Sequence, residues 1–268
     1  MEYFKTCRNI PVYINEINEK GDRTAVFLHG YLETNEVWTD FVDMICDADP
    51  NLRIVVMDLP GHGLSGTNEG ENSMDFMADV IADVFTSAKI EKATVTGHSM
   101  GGYVALAFAE KYPELVEKLC LFHSTPNPDS EDKKKNRDRE IKLIREQKLN
   151  QILETSLPNM FASAIPEVTD DYVDMIKESA EISDSEGFIA CLNGMKNRKD
   201  MNDFLAGFDK PLLMIFGKKD KHITEDTANS LITRFPKAEV LMLENSGHLG
   251  FIEEPEICLR TLHKFIIQ

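Results

Sequence analysis

The sequence lacks any apolar run long enough to cross a membrane and any excess of basic charge. No apolar stretch in it approaches the roughly 18 residues of a transmembrane helix, and its first residues lack the apolar core of a signal peptide. Its 29 basic and 46 acidic side chains give a formal charge of −17, which would repel nucleic-acid phosphates and anionic lipid headgroups. We therefore expect a cytoplasmic protein that binds neither membranes nor nucleic acid.

Cysteine is also scarce, and its pattern excludes two further classes of protein. The five cysteines are Cys7, Cys46, Cys120, Cys191 and Cys258. They are odd in number, widely spaced and mostly set among apolar neighbours, which is typical of reduced thiols in a core and not of disulfide bridges or a zinc site. Neither a repeat nor a low-complexity tract interrupts the 268 residues, which suffice for one domain or for one domain with an insertion.

Short apolar runs alternate with longer amphipathic segments along most of the chain. The apolar runs predict strands at residues 24–28, 53–57, 93–96, 118–122, 211–216 and 238–243. Because helix-length segments separate most of these runs, we expect parallel strands covered by helices on both faces of an α/β fold. Two earlier extended segments, residues 3–7 and 11–16, predict a hairpin at one edge of the sheet.

The alternation stops once, between about residues 124 and 208, where helical periodicity continues without a clear strand. Residues 129–148 in this stretch mix acidic and basic side chains, which favours a solvated helix with i,i+4 ion pairs over the edge of a mobile lid. A helical insertion between parallel strands would cover the carboxyl ends of the strands, where open α/β sheets bind ligands. We therefore predict a core domain of residues 1–123 and 209–268 and a helical cap of residues 124–208.

A glycine-rich turn lies between a predicted strand and a predicted helix at residues 97–102, Gly-His-Ser-Met-Gly-Gly. Glycines two residues before and two residues after Ser99 allow a sharp turn that exposes the serine oxygen at the edge of the sheet. Ser99 is therefore the candidate nucleophile. The backbone N–H of Met100 opens the helix, so it lacks an intrahelical partner and can donate to an oxyanion.

A serine hydroxyl needs a base within hydrogen-bond reach, and His248 is the best candidate among the seven histidines. It lies in a glycine-flanked loop just after the last predicted strand, from which an imidazole can reach over the edge of the sheet. His98 is expected to point away from Ser99. His62 lies in a turn and is expected to make structural hydrogen bonds.

The base in turn needs an acid that orients it, and Asp220 is the candidate for this role. Asp220 follows a predicted strand directly, as Ser99 does. Asp220 lies after Ser99 and before His248, and the order nucleophile, acid, histidine along the chain is characteristic of one particular fold. An acid near Ser124 or Asp129 is the alternative.

The chain resembles α/β-hydrolases across nearly its whole length. The motifs that carry the resemblance lie at residues 29–31, 58–65, 97–102, 217–220 and 247–255. The resemblance implies an α/β-hydrolase fold, in which an eight-stranded, mostly parallel sheet has one antiparallel strand near its start and a helical cap inserted after strand 6. It also implies that the backbone N–H of Tyr31, beside that of Met100, completes an oxyanion hole.

Together these residues predict a serine hydrolase that cleaves a small carboxylic ester or lactone through an acyl-serine intermediate. Ser99, Asp220 and His248 would form its catalytic triad, and this chemistry requires no metal ion or organic cofactor. A serine at the turn also argues against similar enzymes that displace halide or open epoxides, because those carry aspartate there.

Three alternatives to ester or lactone hydrolysis stay open. The first is a lyase of menaquinone synthesis, but similar lyases carry an arginine close behind the turn, where this chain has Tyr-Val-Ala at residues 103–105. The second is a carbon–carbon bond hydrolase, but similar hydrolases tend to have asparagine at the position of His98, so both differences argue against these alternatives. The same triad could also belong to a ligand-sensing protein of this fold with little turnover.

Overall fold

The computed structural model describes residues 1–163 and 166–268, without the side chains of residues 166–169. In this part of the chain the strands are β1 (Glu2–Cys7), β2 (Ile10–Ile17), β3 (Arg23–Leu28), β4 (Leu52–Met57), β5 (Ala93–His98), β6 (Val116–Phe122), β7 (Leu212–Gly217) and β8 (Glu239–Leu243). The α-helices are α1 (Thr39–Ala48), α2 (Met74–Ser87), α3 (Met100–Lys111), α4 (Glu131–Arg145), α5 (Leu149–Ser156), α6 (Pro166–Ile182), α7 (Ser185–Lys196), α8 (Asn202–Ala206), α9 (Glu225–Arg234), α10 (Gly250–Glu253) and α11 (Pro255–Ile267). Short 3₁₀ helices lie at Asn35–Trp38, Pro113–Leu115 and Leu157–Asn159.

The strands form one eight-stranded sheet in the order β1-β2-β4-β3-β5-β6-β7-β8. β2 is antiparallel to both β1 and β4, and the remaining neighbours are parallel. The predicted mostly parallel sheet, with its early antiparallel strand and its edge hairpin, is confirmed. β5 and β7 are buried along their whole length, because helices cover both faces of a parallel sheet.

The hydrophobic core lies on both sides of the central strands. The single tryptophan, Trp38, is fully buried there, with its ring centroid 4.3 Å from that of Phe251 and 5.3 Å from that of Phe27. All five cysteines lie in the described part of the chain and have free thiols, and all except Cys46 are buried. Within that part, no helix is long and apolar enough to span a bilayer.

The chain between β6 and β7 contains helices α4 to α8 and no strand among its described residues. α4 packs against α5 and α7. One solvated helix was predicted in the charged run at residues 129–148, and α4 covers most of that run. It ends at Arg145, because Gln147 takes a left-handed φ of 60°. Exposed ion pairs do lie on α4, including Lys134 with Glu131 at 2.8 Å.

Candidate active site

Ser99 occupies the turn between β5 and α3, and its backbone is strained. Its φ is 50°, in the left-handed region that residues other than glycine rarely adopt. A Cβ atom on Gly97 would overlap the backbone of Gly101, so the turn requires glycine at residue 97. The Ser99 N–H donates to the Phe122 carbonyl at 3.0 Å, and Ser124 Oγ donates to the Ser99 carbonyl at 2.7 Å. These bonds hold the turn against the end of β6.

The other two residues proposed from the sequence, Asp220 and His248, contact each other. His248 Nδ1 lies 2.7 Å from Asp220 Oδ2, and Asp220 Oδ1 accepts the backbone N–H groups of His222 and Ile223 at 2.7 and 3.0 Å. Burial by itself would raise the pKa of Asp220, but His248 and His123 outweigh it and keep the pKa well below its usual range. The carboxylate is therefore ionised and able to orient an imidazole.

His248 is held in the tautomer that a general base requires. Its Nδ1–H donates to Asp220, which leaves the lone pair on Nε2. In the described part of the chain Nε2 has no hydrogen-bond partner. Burial lowers the pKa of His248 below its ordinary value of 6.5, although the charge of Asp220 acts in the opposite direction. The imidazole is therefore neutral at pH 7 and can accept a proton.

A second histidine, to which the sequence reasoning gave no role, contacts the same carboxylate. His123 follows β6 directly, and its Nδ1 lies 3.2 Å from Asp220 Oδ2. Its Nε2 accepts the N–H of Gly250 at 3.0 Å, so Nδ1 must carry the proton and donate it to Asp220. The signal available in the sequence was its position at the carboxyl end of a parallel strand, which it shares with Ser99.

His123, Asp220 and His248 place possible metal-ligand atoms within 4.8 Å of one another. Both Nδ1 atoms, however, carry protons that are donated to Asp220, and the lone pair of His123 Nε2 accepts the Gly250 N–H. A histidine nitrogen that carries a proton has no lone pair for a metal. The three residues therefore fit a carboxylate that is hydrogen-bonded to two histidines better than they fit a metal centre.

Replacing His123 by phenylalanine keeps the ring volume but removes both hydrogen bonds. The buried N–H of Gly250 then loses its acceptor, so we expect the free energy of unfolding to fall by about 1–3 kcal/mol. Urea denaturation followed by circular dichroism measures this change. An unchanged unfolding midpoint would contradict the structural importance of the His123 contacts.

The loop after β3 presents the N–H of Tyr31 between two neighbours that are already bonded. The Gly30 N–H donates to Glu33 Oε2 at 2.5 Å, and the Leu32 N–H donates to His62 Nε2 at 3.2 Å. Leu32 has a left-handed φ of 69°, so this loop is strained as well as hydrogen-bonded. Its geometry is therefore set in advance of any ligand.

Two backbone donors are unpaired at this edge of the sheet. In the part of the chain that the structure describes, the N–H groups of Tyr31 and Met100 have no acceptor. Backbone N–H groups buried without a partner are rare because the missing bond is costly. Met100 directly follows Ser99, and Tyr31 lines the same cavity as Ser99, so both N–H groups are consistent with donors that await a ligand oxygen.

Ser99 and His248 line the same cavity, whose volume is about 370 Å³. Its wall also includes residues of the loop after β3 and of the helical segment between β6 and β7: Tyr31, Leu32, Lys133, Asn136, Arg137, Glu140, Ile152, Ser156, Met160 and Met195. Among the described residues no hydrogen bond joins Ser99 Oγ to His248 Nε2. Hydrogen bonds of this kind often tighten only when substrate binds.

The alternative acids make other contacts. The Asp129 carboxylate pairs with Arg137 and accepts a hydrogen bond from Arg198 Nη1 at 2.6 Å. Ser124 Oγ is engaged with the Ser99 carbonyl. Of Asp220 and Asp129, the two carboxylates considered from the sequence, Asp220 is the one that contacts an imidazole.

Comparisons with known proteins agree with this architecture. Residues 25–141 match the family model of the alpha/beta hydrolase fold. The chain is 29% identical over 259 residues to a 2-hydroxy-6-oxononadienedioate/2-hydroxy-6-oxononatrienedioate hydrolase of Paraburkholderia phymatum, with 92% of this chain and 88% of the relative covered.

Solved structures show the same fold over the full length. A thermophilic esterase from Thermogutta terrifontis superposes with a TM-score of 0.89 at 26% identity, over 99% of this chain and 97% of that one. The enol-lactonase from Burkholderia xenovorans LB400 has a TM-score of 0.89 at 19% identity, over 99% and 100% of the two chains. The chain therefore has the α/β-hydrolase fold, as its motifs predict, and it is an enzyme of this fold.

Proposed function

We propose that this protein is a serine hydrolase that cleaves a small carboxylic ester or lactone through an acyl-serine intermediate. Ser99 is the nucleophile, His248 the base and Asp220 the acid that orients the base. The observation that carries the proposal is the 2.7 Å bond between His248 and Asp220 beside a cavity that Ser99 lines. This constellation is the one that serine hydrolases on several unrelated folds use for acyl transfer.

The proposed reaction begins with proton transfer from Ser99 Oγ to His248 Nε2 as the oxygen attacks the carbonyl carbon. Asp220 stabilises the resulting imidazolium and keeps its Nδ1–H directed at the carboxylate. The imidazolium then gives its proton to the leaving alcohol, and acyl-Ser99 forms. Water activated by His248 releases the acid in the second half of the reaction.

The N–H groups of Tyr31 and Met100 are proposed to stabilise the oxyanion of each tetrahedral intermediate. Because the Tyr31 peptide is held by the bonds of Gly30 and Leu32 on either side, its donor needs no reorganisation during the reaction. In a comparable site one such donor is worth about 2.7–4 kcal/mol. Helices α4 to α8 are proposed to act as a cap, since several of their residues line the cavity.

A panel of substrates tests this proposal. We expect the protein to hydrolyse p-nitrophenyl acetate or butyrate, or a small lactone, and to react with a fluorophosphonate probe. Turnover confined to a 1,5-diketone that is cleaved at a carbon–carbon bond would replace ester hydrolysis by the chemistry in the name of the Paraburkholderia relative. Ligand binding without turnover of any substrate would favour a sensor and contradict the enzymatic proposal.

The proposed base also sets the pH dependence of the reaction. His248 acts only when neutral, and burial lowers its pKa below the ordinary 6.5. Protonation at low pH therefore inactivates the enzyme, and we expect kcat/KM for p-nitrophenyl butyrate to rise with pH through a midpoint below 6.5 and then level off. Measurements from pH 4 to pH 8 give this midpoint. A pH-independent rate across the range would contradict the role of His248.

A further inference from the structure

A second buried cluster, which the proposed mechanism does not use, joins several parts of the site. Its centre is formed by Glu33 and His98, whose side chains are both 0% exposed and whose Oε2 and Nδ1 atoms lie 2.9 Å apart. Glu33 belongs to the loop after β3 that presents Tyr31. His98 ends β5 and directly precedes Ser99.

The hydrogen bonds of this cluster determine the protonation of His98. Its Nε2 lies 2.9 Å from the backbone carbonyl oxygen of His248, which can only accept, so Nε2 carries a proton. Its Nδ1 faces Glu33 Oε2, which also accepts the Gly30 N–H at 2.5 Å, while Glu33 Oε1 accepts the Tyr172 hydroxyl at 2.9 Å. A carboxylate that receives donors on both oxygens is ionised, so Nδ1 is protonated as well. His98 is then an imidazolium.

The electrostatics of the pair agree with this geometry. Burial alone would raise the pKa of Glu33, but His98 and the Gly30 N–H outweigh it and lower the pKa to about 2. Burial likewise opposes the charge on His98, yet the Glu33 carboxylate raises the pKa of His98 above 6.5. Each charge is therefore stable in the interior only because the other is present.

We propose that the buried Glu33–His98 ion pair positions the oxyanion loop and the base loop relative to each other, and that both are positioning residues for the reaction. Glu33 holds the loop through the Gly30 N–H, one residue before Tyr31, and His98 holds the base through the carbonyl of His248. This inference rests on the proposed function. Charge-assisted hydrogen bonds are shorter and stronger than neutral ones, which suits them to fixing two loops from different parts of the chain.

Tyr172 extends the restraint to the helical segment. It lies on α6, and its hydroxyl donates to the carboxylate oxygen that His98 leaves free. One carboxylate thus connects the loop after β3, the end of β5 and α6. A change in the position of α6 would act on Glu33 directly and, through Gly30, on the peptide that precedes Tyr31.

Replacing Glu33 by glutamine tests the positioning role, because it keeps the size of the side chain and removes its charge. We expect kcat for the preferred ester to fall by about 100-fold, the order expected when reacting groups are displaced by about 1 Å, with little change in KM. The rate of labelling by a fluorophosphonate should fall in parallel, since it depends on the same geometry. Circular dichroism verifies that the variant is folded.

Glu16 provides a matched control for loss of a buried carboxylate. It is 4% exposed and accepts hydrogen bonds from Tyr3 OH at 2.8 Å and Arg53 Nε at 2.7 Å, but it lies in the β1–β2 hairpin at the edge of the sheet. Glu16→Gln is therefore expected to lower stability without lowering kcat. Equal effects of Glu16→Gln and Glu33→Gln on kcat would show that Glu33 is merely structural and would overturn the proposal.

The charge of His98 can be measured in the wild-type protein without reference to activity. Nitrogen-15 NMR of the histidine side chains is expected to show protons on both nitrogens of His98 at pH 7, and this measurement decides the ion pair even where Glu33→Gln fails to fold. A neutral His98 would overturn the ion pair and leave the proposed triad intact. Lack of turnover of any ester or lactone by the wild type would instead overturn the proposed function.

Discussion

Replacing Ser99 by alanine is expected to lower kcat for p-nitrophenyl butyrate by about 10⁶-fold, the loss seen when the nucleophile of a comparable triad is removed. Alanine cannot form the acyl intermediate, so the remaining rate would come from the oxyanion donors and from substrate binding alone. Labelling by a fluorophosphonate should disappear together with turnover. Steady-state kinetics and mass spectrometry of the labelled protein measure the two losses.

Ser87→Ala is the control for this experiment, because Ser87 lies at the end of α2 and its hydroxyl bonds only a backbone carbonyl of that helix. It should retain wild-type turnover and labelling. Ser99 also has a left-handed φ of 50°, and alanine relieves none of that strain, so the Ser99→Ala variant should unfold close to the wild-type midpoint. Ester turnover that survives in Ser99→Ala would exclude Ser99 as the nucleophile.

Asp220→Asn is expected to lower kcat by about 10⁴-fold, as the corresponding change does in a serine protease triad. The new amide must keep its oxygen toward the N–H groups of His222 and Ile223. Its NH₂ group then faces Nδ1 of both His248 and His123, where it can only donate. His248 is thereby forced to carry its proton on Nε2, and it cannot accept the proton of the nucleophile.

Asp220→Asn should also disturb the hydrogen bonds of His123. With Nδ1 of His123 accepting from the new amide, its Nε2 carries a proton that faces the Gly250 N–H, so two donors oppose each other in the interior. We therefore expect a loss of stability of about 1–3 kcal/mol in addition to the kinetic effect. Kinetics and urea denaturation of one preparation report both.

Asp79→Asn is the matched control for Asp220→Asn. Asp79 lies on α2, and its carboxylate accepts a hydrogen bond from Tyr112 OH at 2.8 Å. Because Asp79 does not line the cavity, turnover should be unchanged. A drop in kcat of less than about tenfold in Asp220→Asn would be too small for the acid of a triad and would assign the orienting role to another group.

The parts of the site that are local in the chain could be predicted, and those that depend on distant contacts could not. The turn around Ser99 is encoded by a few consecutive residues, because glycines at fixed positions between a strand and a helix leave the backbone little choice. The end of α4 is a local feature that the sequence did not predict, because nothing in the run of charged residues marks the left-handed backbone of Gln147.

His123 and Glu33 show why the remaining contacts were missed. His123 directly follows one predicted strand and Glu33 lies in the loop after another, but their partners are 97 and 65 residues away in the chain. Nothing in the spacing of the sequence identifies which carboxylate will meet which imidazole. The sequence predicted that His98 points away from Ser99, but its contacts with Glu33 and with the His248 carbonyl depend on how the loop after β3 folds.

By itself the sequence determined the fold class, because alternating apolar and amphipathic segments allow a parallel sheet to bury its strands under helices on both faces. It also determined the order of the candidate residues at the ends of those strands. Only the tertiary structure decided that the Asp220 carboxylate contacts two histidines and that Glu33 and His98 form a buried pair. Hydrogen bonds and ion pairs in the interior require their groups to be placed to within a few tenths of an ångström, and this placement arises only when the whole chain has packed.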